Sequence, residues 1–337
     1  MKILINFFKI LVYAPIFLIE VLLFKLFHKK NSKISYQFMI IFFSIFGSSL
    51  NKLLSKFLSE KKNDKISNLN LNINLKKKIK PISNILNKKG YFLDKNALSK
   101  YQIYQLKRYL KKQKGFYDSD EYSNNLKKEY FNKKNPKGVK FYYDQNDLIK
   151  FKLIQDIAFD KKILSIAQDY LGALPIFENI NAWWSVPSIK PDKQAAQFWH
   201  FDMDRPTWLK VFIYLTDCNV KNGPHCFISG SHYKKVIPYK LRSKGYSRLG
   251  DKEVKKLFKK KFIKKFTAKS GTILFEDTSG LHKGLHLKKG SRLILQLQYS
   301  SSLFGASVKK LKLPTKMGDN FLKVKKSHNK LLKVFNI

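Results

Sequence analysis

In Gln197-Phe198-Trp199-His200-Phe201-Asp202 an imidazole and a carboxylate stand two residues apart, and both side chains can ligate a divalent metal. In a strand that spacing turns both to one face. A lone His-X-Asp pair is common by chance, so its meaning depends on the partners that the rest of the chain supplies. Five of the seven histidines lie between 200 and 286. His282 offers a third ligand from another strand, and Arg292 begins a strand ten residues later, beyond a turn at Lys288-Lys289-Gly290. A guanidinium returned beside the metal is suited to a bidentate grip on a carboxylate. Two histidines and one carboxylate on one face of an octahedron leave three positions open, the arrangement that suits a non-haem iron(II) oxygenase.

Other residues compete for these roles. His286 is an alternative distal ligand, although it shortens the step to Arg292 to six residues. His225 and His232 read as turn caps or residues of a pocket mouth rather than ligands. Lys210 and Tyr214 share a strand face and are candidate contacts to an organic cosubstrate; packing or surface roles are their other reading. Trp183, Trp184 and Trp208 are candidate walls of a substrate pocket, or simply core.

The elements that must position these residues are mostly strands. From residue 180 to 299, short β-branched and aromatic runs alternate with Gly, Pro, Asn and Asp punctuation, as in 210–216, 226–228, 271–275 and 292–299. Helical spacing precedes them at 96–112 and at 160–170, the latter with Leu171-Gly172 as its stop. Residues 251–269 carry nine lysines, with Val254, Leu257, Phe258 and Phe262 as one apolar stripe, and read as a helical insert. The pattern predicts a mainly β core with flanking helices.

The first 60 residues have a different texture. Residues 10–24 are apolar except for Glu20, residues 36–47 form a second apolar run, and a basic stretch from His28 to Lys33 separates them. The first run falls short of the roughly 20 clean residues of a spanning helix unless it extends back through Lys9. An anchor on the cytoplasmic face of an anionic membrane fits this pattern, and packing on the catalytic body is the alternative. The organisation expected is an N-terminal segment over 1–60, a lysine-rich linker over 61–88 with a soft boundary near Pro81, a catalytic domain over 89–305 and a basic tail over 306–337.

With 44% apolar and 15% aromatic residues the chain is too rich in core-forming side chains to be a disordered basic protein. Its formal charge of +44 comes from 62 Lys and only five Arg. Readers of bases and phosphates lean on the guanidinium fork, so nucleic acid is a disfavoured partner. Scarcity of Arg also makes Arg292, inside an apolar strand, a residue chosen for its geometry. Two Cys, 218 and 226, flank Asn222 and are expected to be reduced packing residues, able to face each other across a hairpin.

Taken in order, Phe198 to Asp202, Leu209 to Asp217, Asn222-Gly223-Pro224-His225, Gly230-Ser231-His232 and Gly280-Leu281-His282-Lys283-Gly284 with Arg292 resemble the phytanoyl-CoA dioxygenase family from about residue 90 to about 304. The resemblance implies a double-stranded β-helix, a jelly roll related to the cupins. It implies iron(II) on His200, Asp202 and His282, and 2-oxoglutarate on Arg292. The expected activity is hydroxylation of a small-molecule or lipid-linked substrate with O2, releasing succinate and CO2. Family members often carry a hydroxyl residue two after the distal histidine, and here that position is Gly284. The competing readings are a non-catalytic jelly-roll binding protein and a lysine-rich protein associated with nucleic acid.

Overall fold

Arg292-Leu293-Ile294-Leu295-Gln296-Leu297-Gln298-Tyr299 alternates apart from Ile294, and that alternation separates two environments. In the computed structural model, which describes residues 2–59, 73–117 and 128–336 except 189, 193, 194, 234, 235, 244, 246 and 247, this stretch is the middle strand of a seven-stranded sheet. The strands of the two main sheets are β1 (Tyr91–Asp94), β2 (Gly115–Tyr117), β3 (Lys140–Tyr143), β4 (Ile176–Ser185), β5 (Trp208–Tyr214), β6 (His225–Ile228), β7 (Ile263–Phe266), β8 (Ile273–Glu276), β9 (His282–Gly284) and β10 (Arg292–Ser300). The large sheet runs β1-β8-β5-β10-β4-β3-β2 and the small one β7-β6-β9. Every pairing in both is antiparallel.

Leu293, Leu295, Leu297 and Tyr299 of β10 join Leu209, Val211 and Ile213 of β5 in the main core, under the helices. The intervening Ile294, Gln296 and Gln298 pair in register with Tyr214, Phe212 and Lys210 of β5 on the opposite face. That face looks towards the small sheet, and Trp183, Phe212, Tyr214, Phe227, Leu274 and Ile294 fill part of the gap. Two facing antiparallel sheets with an apolar filling form the mainly β core that the strand pattern predicts, as the double-stranded β-helix that the resemblance implies.

The two predicted helices form with the ends that their residue types dictate. Ser99 and Gln102 make a reciprocal capping box at the start of Lys100–Lys111. Asp160 caps Lys161–Leu171, and Gly172 ends it at φ 67°. The insert at 251–269 is different: only Asp251–Leu257 is α-helical, and Ile263–Phe266 is β7, paired with β6. Lysine density disguised this strand. Cys218 and Cys226 are both free and buried, but they do not face each other. They pair instead with Ala268 and Lys265 of one intervening segment.

Three helices lie in the first 60 residues: α1 (Lys2–Phe27), α2 (Lys33–Phe46) and α3 (Ser49–Leu58). Helix α1 runs through Lys9, Pro15 and Glu20 without a break, and Glu20 is satisfied by accepting from the Ser32 backbone N–H at 2.7 Å. It is therefore long and apolar enough over Phe8–Phe27 to cross a membrane, with mean hydropathy 2.3. The helices also dock on the body. Phe17 packs on Phe304, Phe43 on Phe201, and the buried Arg242 guanidinium donates to the Phe43 and Ser44 carbonyls at the end of α2.

The stretch expected as a linker lies partly outside the described residues, and its remainder is α4 (Ile73–Lys89). Ile79, Ile82 and Leu86 enter the main core, so the boundary expected near Pro81 falls inside a packed helix. The expected basic tail is likewise part of the fold: Leu311, Phe321, Val324, Leu331, Leu332 and Phe335 are buried there. Its lysines occupy the outer face of Asp319–Ser327 and mask the apolar spacing beneath them. Phe321 is 0% exposed, with ring centroids of Phe159 and Phe335 at 5.0 and 5.3 Å. Phe321→Ala should cost about 3–5 kcal/mol. Urea unfolding measures it, and a loss below about 1 kcal/mol would mean that this segment is not built into the core.

Candidate metal centre and its cavity

His200 and Asp202 do not lie in a regular strand, contrary to the sequence expectation. His200 forms an isolated antiparallel bridge with His282, donating its backbone N–H to the His282 carbonyl at 3.0 Å and accepting at 2.8 Å in return. Asp202 leans on the other side of the same turn, its N–H donating to Thr278 at 2.9 Å. The bridge nevertheless preserves what alternation promised, because both side chains turn inward.

Each imidazole is fixed by the carbonyl two residues before it. His200 Nδ1 lies 2.9 Å from the Phe198 oxygen and His282 Nδ1 lies 3.0 Å from the Gly280 oxygen. A carbonyl only accepts, so both Nδ1 atoms carry the proton and both Nε2 atoms present a lone pair. Asp202 Oδ2 is 3.7 Å from His282 Nε2, and one ligand atom from each of the three residues lies within 4.8 Å of the others. Burial holds the pKa of His200 well below its ordinary value and lowers that of His282. Neutral imidazoles at physiological pH are the form that binds metal.

The carboxylate is ionised for a different reason. Burial works against its charge, but Lys210, His282 and His200 outweigh that and hold Asp202 well below the usual carboxylate range. Lys210 Nζ donates to Asp202 Oδ2 at 2.6 Å, so this lysine is paired with a candidate metal ligand. Tyr214 departs from its expected role. It is buried among the aromatics between the sheets, and its hydroxyl is 3.4 Å from the Phe266 carbonyl.

These groups open into a cavity of about 520 Å³ that also holds Trp183, Phe212, Lys140 and Arg292. Trp184 points the other way, as its neighbour's alternation requires, and donates to the Tyr143 hydroxyl at 3.1 Å. Trp208 is core, its indole N–H on Thr278 Oγ1 at 2.8 Å. Arg292 is 5% exposed, yet its Nε and Nη1 have no hydrogen-bond partner. Buried donors left bare are costly, and a bound carboxylate would satisfy them. Gly284 leaves the space beside them open, since a Cβ there would lie 3.4 Å from Arg292 Nη2. The donor set thus fits both a divalent iron ion and a dicarboxylate.

Among the other histidines, His286 is bonded to the Ser188 carbonyl and lines no part of this cavity. His232 bonds the Asn87 carbonyl at 3.1 Å, beneath Gly90, where any Cβ would meet its ring at 2.6 Å. His225 does line the cavity, and its Nε2 lies 2.8 Å from Oε1 of Glu276, a residue that sequence reasoning missed. The signal was the parity of β8: Glu276 pairs with Lys210, so it faces inward from an otherwise apolar strand. Burial raises Glu276 to about 8 and lowers His225 to about 3, making a neutral pair in which the carboxylic acid donates to the imidazole.

Because the folded-state pKa of Glu276 is raised, its contribution to stability is full below the ordinary carboxylate value and is lost as pH rises through about 8. Glu276→Gln keeps a donor towards His225 and cannot ionise. In metal-free protein, the stability difference between variant and wild type should move in the variant's favour from about pH 4.5 to about pH 8, then level off. Urea midpoints across that range measure it; a constant difference would show that Glu276 is ionised throughout.

The phytanoyl-CoA dioxygenase family profile matches residues 86–286, about three fifths of the chain. Among curated protein sequences nothing matches. Among solved structures, HygX from Streptomyces hygroscopicus with nickel and 2-oxoglutarate bound is similar at 13% identity, over 70% of this chain and 93% of that one, with a TM-score of 0.49. EctD from S. alaskensis with 2-oxoglutarate and 5-hydroxyectoine is 16% identical over 65% of this chain and 74% of that one, with a TM-score of 0.47. The epimerase SnoN, in complex with Fe3+, alpha ketoglutarate and nogalamycin RO, is 14% identical over 67% and 84%, with a TM-score of 0.45. Extending over more than half of the chain and enclosing both halves of the inward-facing ligand set, the profile match makes this protein a member of the phytanoyl-CoA dioxygenase family of iron(II)- and 2-oxoglutarate-dependent oxygenases.

Proposed function

We propose that His200, Asp202 and His282 hold the iron, that Arg292 grips the distal carboxylate of 2-oxoglutarate, and that the protein hydroxylates a small molecule bound in the same cavity. The observation that carries this reading is the buried guanidinium with two bare donors, opening into the cavity that the three ligand atoms share. When bound, the iron and 2-oxoglutarate supply the activation of O2, with succinate and CO2 released. The chain's own part is to position and to exclude water. The Phe198 and Gly280 carbonyls aim the two imidazoles, and Lys210 fixes the rotamer of Asp202 and keeps it ionised. Trp183, Phe212 and Tyr142 give the cavity apolar walls against which an organic substrate can lie.

The proposed location is the cytoplasmic face of a membrane. Helix α1 packs one face on the body through Phe17 and Val21, while Leu11, Leu18, Ile19, Leu22 and Leu26 on its other face are exposed. An exposed apolar stripe of this length with lysines at its end suits the boundary between acyl chains and anionic headgroups.

Two substitutions separate metal from cosubstrate. Asp202→Ala should abolish stoichiometric iron(II), because two neutral imidazoles beside an unpaired Lys210 ammonium hold a dication poorly. Arg292→Ala should retain iron but lose about 2–5 kcal/mol of 2-oxoglutarate binding, well over tenfold in affinity, with Arg292→Lys recovering only part. Metal analysis and anaerobic titration calorimetry read the two effects apart. Full iron occupancy in Asp202→Ala would contradict the ligand assignment, and unchanged 2-oxoglutarate affinity in Arg292→Ala would contradict the role of the arginine.

A further inference from the structure

The oxygenase site is not the largest cavity. A second one, of about 1200 Å³, lies where the end of α1 and the start of α2 meet the segment after β10. Lys25, Lys30, Lys33, Lys310, Lys330 and Lys333 line it, and no Asp or Glu does among the described residues. Helix α2 begins at its wall, and because the Glu20 carboxylate already accepts from the Ser32 N–H there, the lysines rather than the helix dipole supply the positive field. Ser302, 2% exposed, also lines the cavity, and its hydroxyl has no hydrogen-bond partner. A buried hydroxyl without a partner in a lysine-ringed space is what an anionic ligand would satisfy.

Phe24, Ile40, Leu58, Ile176, Leu303 and Val308 give the cavity an apolar part beside polar residues such as Asn31 and Gln37. The volume exceeds the roughly 300–1,000 Å³ of ordinary small-molecule pockets, so an anion with an apolar chain fills it better than a small anion. Phe24 and Lys25 belong to α1, and Leu18, Ile19, Leu22 and Leu26 leave an exposed apolar stripe on the same helix. We infer that this second cavity takes one anionic phospholipid from the membrane on which α1 lies, its phosphate among the lysines and its chains on the apolar lining.

The wall of the cavity gives the inference a link to the oxygenase. Val308 and Lys310 line the lipid cavity, while Lys309 between them lines the cavity of His200 and His282. A lipid seated here fixes the enzyme's orientation on the bilayer with the oxygenase cavity on the other side of this segment. The inference rests on the membrane placement of α1 proposed above and is independent of the iron chemistry.

The test uses full-length protein in micelles of a neutral detergent doped with either phosphatidylglycerol or phosphatidylcholine, with retained lipid counted by native mass spectrometry. One phosphatidylglycerol per chain is expected, with phosphatidylcholine retained far less. Lys33→Glu/Lys310→Glu, at two exposed positions of the cavity rim, should weaken retention about tenfold or more. The pair Lys100→Glu/Lys111→Glu, exposed on Lys100–Lys111 and away from the cavity, should leave it unchanged. Equal weakening by both pairs, no adduct, or full displacement by inorganic phosphate would each overturn the proposal, the last by identifying a free-phosphate site. Flotation with phosphatidylglycerol vesicles is run in parallel. Flotation without a lipid adduct would sink the cavity proposal alone, whereas failure to float would sink the membrane placement with it.

Discussion

The two backbone hydrogen bonds between His200 and His282 are the constraint on which the site depends. They join positions 82 residues apart, and they do so at the residues whose side chains form the candidate metal centre. Forming one such long-range bridge costs chain entropy that no local interaction returns. The cost is offset by the two sheets, whose interior rows carry the apolar contacts of the Trp183, Phe212 and Phe227 cluster. Once those sheets face each other, β9 and the loop after Trp199 have little choice of register. The imidazole orientation is then set by carbonyls already in place, so the ligand set is organised before any metal arrives.

Electrostatics imposes the second condition. Asp202, Asp204 and Glu276 crowd one buried region with Lys210, and the fold resolves the crowding by shifting Asp202 in one direction and the other two in the opposite one. Asp202 keeps its charge through the Lys210 pair, Asp204 is raised by burial and by its neighbour Asp202, and Glu276 takes up a proton opposite His225. A carboxylate held ionised beside two neutral imidazoles is what suits a metal ligand. Arg292 stands apart, a buried cation with bare donors, and so marks where a further negative charge belongs.

Much of this is legible in the sequence, for identifiable reasons. Strand β10 alternates apart from Ile294, so its faces and the inward position of Gln296 and Gln298 can be read directly. His200, Asp202 and His282 stand out because type and spacing carry coordination chemistry. Glu276 escapes notice because its meaning lies in the pairing with Lys210 and His225, which no local pattern contains. Tyr214 is misplaced by one row, since sharing a face with Lys210 does not fix how far along the sheet the cavity extends. Lysine density hides β7, α4 and the C-terminal core segment, because in this chain lysine covers buried and exposed stretches alike.

The central claim is that one centre binds both iron and 2-oxoglutarate, and anaerobic visible spectroscopy tests it most directly. Adding 2-oxoglutarate to the iron(II) protein without oxygen should produce a weak metal-to-ligand charge-transfer band that saturates at one equivalent, since such a band requires the keto acid to chelate the iron. Tight binding of both partners with no band would place them at separate sites and contradict the account.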